Sequence, residues 1–222
     1  MKNLFLFVFA LAIQGATAQV DKNLADFSTL KVFDKLQVQL IASTENRITI
    51  TGEREDEVEL IQKNGELKIR MPFPKLLSGD ATTITLYYTN LNAIDASEGA
   101  LVTSNETFKA SILDLNVKEG AEISLKLDLD KVRVKAVTGG SIVLTGKASN
   151  QVAVLTTGGM LESKDLHTQQ TTITISAGGN AAVYATTLVD AKVKAGGTVL
   201  IFGKPKQINK ETTFGGTIKE KN

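Results

Sequence analysis

The chain has 222 residues, with 25 basic and 24 acidic side chains, one His, and no Cys or Trp. A net charge of +1 excludes a polybasic nucleic-acid binder, and the lack of Cys excludes disulfides, thiolate metal sites and a Cys nucleophile. Hydrophobic residues make up 42%, the composition of a globular chain rather than a disordered one.

Met1-Lys2-Asn3 is a short positive start, Leu4 to Ile13 is an apolar run, and Ala16-Thr17-Ala18 is an A-x-A cleavage site. This order predicts a secretory signal peptide over residues 1–18. Ten apolar residues form a helix about 15 Å long, half of a bilayer core. Cleavage removes Lys2 and leaves 24 residues of each sign. No later stretch holds 18 consecutive apolar residues, so no transmembrane segment is expected after cleavage. An exported chain without Cys suits a bacterial envelope: periplasm, outer-membrane surface or extracellular space.

Residues 19–90 read as short strands: Leu36 to Ile41, Arg47 to Thr51, Glu57 to Gln62, Glu66 to Arg70 and Thr83 to Tyr88. Asn64-Gly65 is a two-residue hairpin signal, and Met71-Pro72-Phe73-Pro74 breaks the pattern before a loop over Lys75 to Ala81. These features predict an N-terminal β-meander that caps the remainder of the chain.

Residues 91–222 repeat. A Gly followed by a small residue stands at Gly99, Gly120, Gly139, Gly158, Gly178, Gly196 and Gly215, at spacings of 21, 19, 19, 20, 18 and 19. Three residues after each stand Val102, Ile123, Ile142, Leu161, Ala181, Val199 and Ile218, all apolar. Three before stand Ala96, Val117, Ala136, Leu155, Ile175, Val193 and Thr212; five before stand Ile94, Leu115, Val134, Ala153, Ile173, Ala191 and Lys210. A period of two on either side of the glycine is strand periodicity. Each repeat therefore predicts strand, glycine corner, strand and a polar turn such as Gly146-Lys147-Ala148-Ser149-Asn150. About 19 residues span roughly 60 Å of strand, enough for one coil of a solenoid. Gly supplies the positive φ of the corner, and the next small residue keeps clear of the adjoining coil. The fold class is all-β: a right-handed parallel β-helix, or solenoid, of about 19–20-residue coils. Its truncated last repeat ends in the charges of Lys219-Glu220-Lys221, which discourage stacking of a further chain.

The motifs Phe27-Ser28-Thr29-Leu30-Lys31-Val32-Phe33, Leu36-Gln37-Val38-Gln39-Leu40, Ile48-Thr49-Ile50-Thr51-Gly52 and Asn64-Gly65-Glu66-Leu67-Lys68-Ile69, succeeded by Gly-Gly coils, carry a resemblance over roughly residues 27–218. In this order the chain resembles the putative auto-transporter adhesin, head GIN domain family of exported proteins from Bacteroidetes-type bacteria. The resemblance implies a β-helix-like fold, an envelope or surface location, and no catalytic motif. An auto-transporter's own membrane barrel needs at least eight strands with aromatic girdles. With three Tyr and no Trp, none is expected in this chain.

No catalytic, cofactor-binding or metal-binding residues are expected. His167 stands alone in a polar stretch that reads as a turn, Lys164 to Thr168, without a second His or any Cys. Asp128 and Asp130 alternate with Leu127 and Leu129, so both face out, about 6.6 Å apart. They carry the alternative of a carbohydrate-active β-helix, since glycosidases use two carboxylates at such separations. Outward columns are also readable. Six before the glycine stand Ala93, Asp114, Arg133, Val152, Thr172 and Asp190, which predicts an Asp114–Arg133 pair between adjacent coils. Four before stand Asp95, Asn116, Lys135, Val154, Thr174 and Lys192. Val137, Val152, Val154, Thr156, Thr172 and Thr174 should then form one flat outer face. That face either meets a partner, a glycan or an envelope or surface protein, or lies under the N-terminal section. The leading expectation is a non-enzymatic exported adhesin or binding module; a purely structural envelope component is the other alternative.

Overall fold

The computed structural model describes residues 19–221, so the predicted signal peptide lies outside the described residues. Seventeen strands join one sheet that winds into the solenoid. They are β1 (Gln19–Asn23), β2 (Thr29–Val32), β3 (Gln37–Ala42), β4 (Arg47–Gly52), β5 (Glu59–Lys63), β6 (Glu66–Arg70), β7 (Thr82–Tyr88) and β8 (Ala93–Ala96). Next come β9 (Leu101–Val117), β10 (Glu122–Val137), β11 (Ser141–Thr156), β12 (Met160–Ser176), β13 (Asn180–Tyr184), β14 (Leu188–Ala195), β15 (Thr198–Phe202), β16 (Gln207–Phe214) and β17 (Thr217–Glu220).

From β8 onward every neighbouring pair is parallel, and the register obeys the glycine alignment. Val102, Ile123, Ile142, Leu161, Ala181, Val199 and Ile218 pair in succession. So do Ile94, Leu115, Val134, Ala153, Ile173, Ala191 and Lys210. Parallel register puts paired residues on the same side, so each apolar column fills the interior along the axis. Buried residues of these columns, such as Ile123, Ile142, Ile173 and Ile175, have no exposed surface.

The first four glycine corners are type I′ turns, which need positive φ at two successive residues. Glu98 and Gly99 have φ of 56° and 73°, and the pairs Glu119–Gly120, Thr138–Gly139 and Thr157–Gly158 repeat this geometry. The closing bonds run from Ala100 N to Ser97 O, Ala121 N to Lys118 O, Gly140 N to Val137 O and Gly159 N to Thr156 O, at 3.0–3.1 Å. The two glycines of a Gly-Gly corner serve different ends. A Cβ on Gly158 would meet nothing within 4 Å, so only its backbone angle demands glycine. A Cβ on Gly159 would lie 2.2 Å from the Ala136 carbonyl oxygen of the preceding coil.

Two local expectations are corrected. Gly146 to Asn150 and Lys164 to Thr168 are not turns but parts of the continuous strands β11 and β12. The β11–β12 ladder shifts register just before these stretches, between Val143 and Thr145, as the β9–β10 ladder does between Ser124 and Lys126, and pairing resumes on both sides. Polar residues in these stretches alternate outward, which in sequence resembles a turn.

The N-terminal section contains the expected β5–β6 hairpin at Asn64-Gly65, and antiparallel pairs that the sequence does not announce, β1 on β4 and β4 on β7. It also contains two coils of the solenoid itself. β2 lies in parallel between β6 and β8, and β3 in parallel between β7 and β9. Residues 29–42 are thus stacked between 66–88 and 93–103, out of chain order. Leu30, Val32, Leu36, Val38 and Leu40 alternate inward as in the later repeats. Their corner, Phe33-Asp34-Lys35-Leu36, has φ of 59° and 61° at Asp34 and Lys35 and closes from Leu36 N to Phe33 O at 3.2 Å. It is the same turn made without glycine. The buried Asp34 carboxylate accepts the Met71 and Leu77 amides at 3.0 and 3.1 Å, tying the 71–81 loop to the corner.

One stretch of the interior is polar. Strand pairing stops between β13 and β14, and the Tyr184 carbonyl faces inward. Thr168 Oγ1 and Thr171 Oγ1 lie 2.5 and 3.3 Å from it. Buried Gln151 joins Ser163 at 3.0 Å, and the Ser163 hydroxyl lies 3.1 Å from the Ala182 carbonyl. These hydroxyls replace the ladder where it is interrupted, as buried polar groups require.

Candidate functional site

The outer face predicted from the repeat is assembled as a grid. Arg133, Val152 and Thr172 pair in one column; Lys135, Val154 and Thr174 in the next; Val137 and Thr156 in a third. Strand alternation turns the residues between them, among them Ala153, Leu155 and Ile173, into the interior. Val137, Val152, Val154, Thr156, Thr172 and Thr174 therefore share one side of β10, β11 and β12. Among the described residues no N-terminal strand covers it, because β1 to β7 stack at the end of the solenoid. Val154 is 39% exposed.

Beside this face runs a groove of about 720 Å³. Its walls are two outward columns, Lys31, Asp95, Asn116 and Lys135 on one side and Phe33, Ser97, Lys118, Val137 and Thr156 on the other. The glycine alignment places Val137 and Thr156 here. It gives no sign of Lys31 and Phe33, which arrive from the out-of-order coil. Lys31 Nζ is 2.7 Å from Glu66 Oε2, and this hydrogen-bonded pairing raises the lysine above its usual range. Asn116 donates to Asp95 Oδ1 at 2.7 Å.

The predicted Asp114–Arg133 pair is present and bidentate, with Nη2 to Oδ2 at 2.7 Å and Nε on Oδ1. The hydrogen bond and charge of Asp114 push the guanidinium further up. It borders a separate hollow with Tyr88 and Phe108, whose rings stack 5.6 Å apart. Burial, with the nearby Glu106 carboxylate, pushes the Tyr88 phenol up to about 12.

The carboxylates Asp128 and Asp130 do face out of β10. They line an open hollow of about 490 Å³ with Lys147, His167, Gln169 and Tyr184. Asp128 lies 3.4 Å from Lys147, its neighbour on the next coil. His167, on a strand and not in a turn, packs its ring 4.4 Å from that of Tyr184. Among the described residues no cluster of three His, Cys, Asp or Glu side chains is placed to hold a metal ion. Nor is any helix there long and apolar enough to cross a membrane.

The family model described as putative auto-transporter adhesin, head GIN domain, matches residues 26–205. The chain belongs to this family. Solved structures share the fold at low sequence identity. A putative adhesin of Bacteroides fragilis is 20% identical with a TM-score of 0.85, over 93% of this chain and 98% of that one. A putative adhesin of Parabacteroides distasonis is 21% identical with a TM-score of 0.76, over 94% and 98%. A putative lipid binding protein of the same species is 15% identical with a TM-score of 0.71, over 94% and 98%. No curated protein matches the chain in sequence.

Proposed function

We propose that the mature chain is an exported, non-enzymatic adhesin of the bacterial envelope that binds through the outer face of its solenoid. The contact surface is Val137, Val152, Val154, Thr156, Thr172 and Thr174, and the partner is a surface glycan or an envelope protein. The observation that carries this reading is the openness of that face. Valine and threonine side chains stand in register on three adjacent coils, and a rigid flat array of this kind costs little conformational entropy on binding. The names of the structural neighbours, adhesin and lipid binding protein, denote recognition rather than catalysis. Cleavage of carbohydrate at Asp128 and Asp130 has weaker support, because Asp128 is already engaged by Lys147.

The test is capture from a glycan array and from solubilised outer membrane, using chain starting at Gln19 and its Val152→Lys/Val154→Lys variant. Specific capture by the parent, reduced at least about tenfold in a folded variant, is expected. Equal capture by both moves the contact elsewhere on the solenoid. No capture by either favours a purely structural envelope role.

A further inference from the structure

We infer that the groove beside the Val/Thr face holds a single-chain amphiphile with a carboxylate head, such as a long-chain fatty acid. The inference rests on the reading of this side of the solenoid as a binding surface and adds to it a small-molecule site that shares Val137 and Thr156 with the Val/Thr face.

The groove exists because Ser97 is small and almost wholly buried between Phe33 and Lys118 in its column, leaving a depression where the neighbouring positions carry long side chains. About 720 Å³ lies within the range of small-molecule sites. Its sides are the Phe33 ring, the Val137 side chain and the aliphatic stems of Lys31, Lys118 and Lys135. Lysines placed this way present methylenes to the groove and ammonium groups to its rim. The floor is therefore apolar and the rim cationic.

Charge pairing selects the head group. Lys31 is engaged by Glu66 at 2.7 Å, and Lys118 has Glu119 at 3.7 Å. Asp95, the acid inside the groove, accepts the Asn116 amide. Lys135 has Asn116 and Val154 as its column neighbours. Among the described residues no carboxylate lies within 4 Å of its ammonium. Lys68, 5.9 Å from the Phe33 ring centroid, also has no carboxylate within 4 Å among the described residues, and Asp95 has no lysine within that distance. Lys31, Lys68, Lys118 and Lys135 thus face Glu66, Asp95 and Glu119, and the one net positive charge matches a monoanion. The register supplies the path for the chain: from Lys135 the same side of the sheet continues to Val154, and from Val137 to Thr156. A head at Lys135 and an alkyl chain laid along Phe33 and Val137 uses both chemistries of the groove.

The probe is dodecanoate below its micellar concentration, titrated calorimetrically into the chain from Gln19. Dodecyltrimethylammonium and dodecyl maltoside serve as cationic and neutral comparisons. Saturable binding of one dodecanoate per chain is expected, with the cationic amphiphile excluded and the neutral one weaker. Lys135→Glu, a change at an exposed side chain outside any ion pair, should weaken dodecanoate about tenfold or more. Lys147→Glu, in the other hollow, should leave it unchanged. The inference is overturned by no saturable binding, by equal affinity for all three head groups, or by an unchanged Lys135→Glu variant with native circular dichroism. Capture on phosphatidylglycerol vesicles without dodecanoate binding also overturns it, in favour of a membrane surface. Failure here with intact envelope capture sinks the amphiphile alone. Dodecanoate binding without envelope capture sinks the adhesion reading alone.

Discussion

At the end of the solenoid built by residues 19–88, further backbone covers the last coil: β4 and then β1 pair antiparallel on β7, and β5 pairs on β6. At the opposite end no strand lies beyond β16 and β17 among the described residues, and the closure is chemical. There the interior columns change character. Lys210 succeeds Ala191, Thr212 succeeds Val193, and Glu220 succeeds Ile201. Lys210 and Glu220 meet across the opening at 2.7 Å. The difference separates two demands on a repeat protein. Apolar columns must be covered, and strand edges must be denied to other chains. Extra strands meet the first demand at one end; inward charges meet both at the other.

Breaking the strand-covered end should have the largest effect. Asp34→Ala removes the carboxylate that holds the Met71 and Leu77 amides and places Ala at a left-handed corner. A loss of about 2–4 kcal/mol is expected in urea unfolding, with protease cleavage appearing within 71–81. Unchanged stability would mean that the loop does not depend on this anchor. The regular coils between the two ends sharpen the comparison through their paired glycines. Gly159→Ala drives a methyl onto a carbonyl and should cost about 2–3 kcal/mol. Gly158→Ala meets only the backbone penalty, about 1 kcal/mol. Reversal of that order would refute the division of roles between the two positions. The smallest effect on stability is expected at the charge-closed end. Lys210→Val/Glu220→Val should change unfolding by no more than about 1 kcal/mol. It should nonetheless produce concentration-dependent association in sedimentation velocity, because it exposes an apolar, unpaired edge. A variant that stays monomeric would show that the ion pair does not guard this end.

The glycines make much of this architecture legible. Alignment on Gly99 to Gly215 yields the inward and outward columns, the Asp114–Arg133 pair and the common side of the six Val and Thr positions, because a parallel solenoid converts sequence period directly into lateral contact. Where the period lacks its marker, the reading stops. The corner at Asp34-Lys35 has the backbone geometry of the later corners but no glycine, so the coil of residues 29–42 reads as meander. The groove suffers for the same reason, since Phe33 and Lys31 belong to that coil. The stretches Gly146 to Asn150 and Lys164 to Thr168 read as turns because outward polar residues and turn residues share a composition, and only pairing with neighbouring coils tells them apart.

The displaced coil also bears on the order in which the molecule can be completed. Solenoids made of like repeats can grow from one end, each new coil settling on its predecessor. Here β2 and β3 have no lateral partner until residues 66–103 have been made, and they must then be held on both sides at once. Pairings of such long sequence separation close slowly. If the proposed export runs from the N-terminus, the leading segment emerges uncommitted. That segment finds its place only after about 60 further residues have followed it.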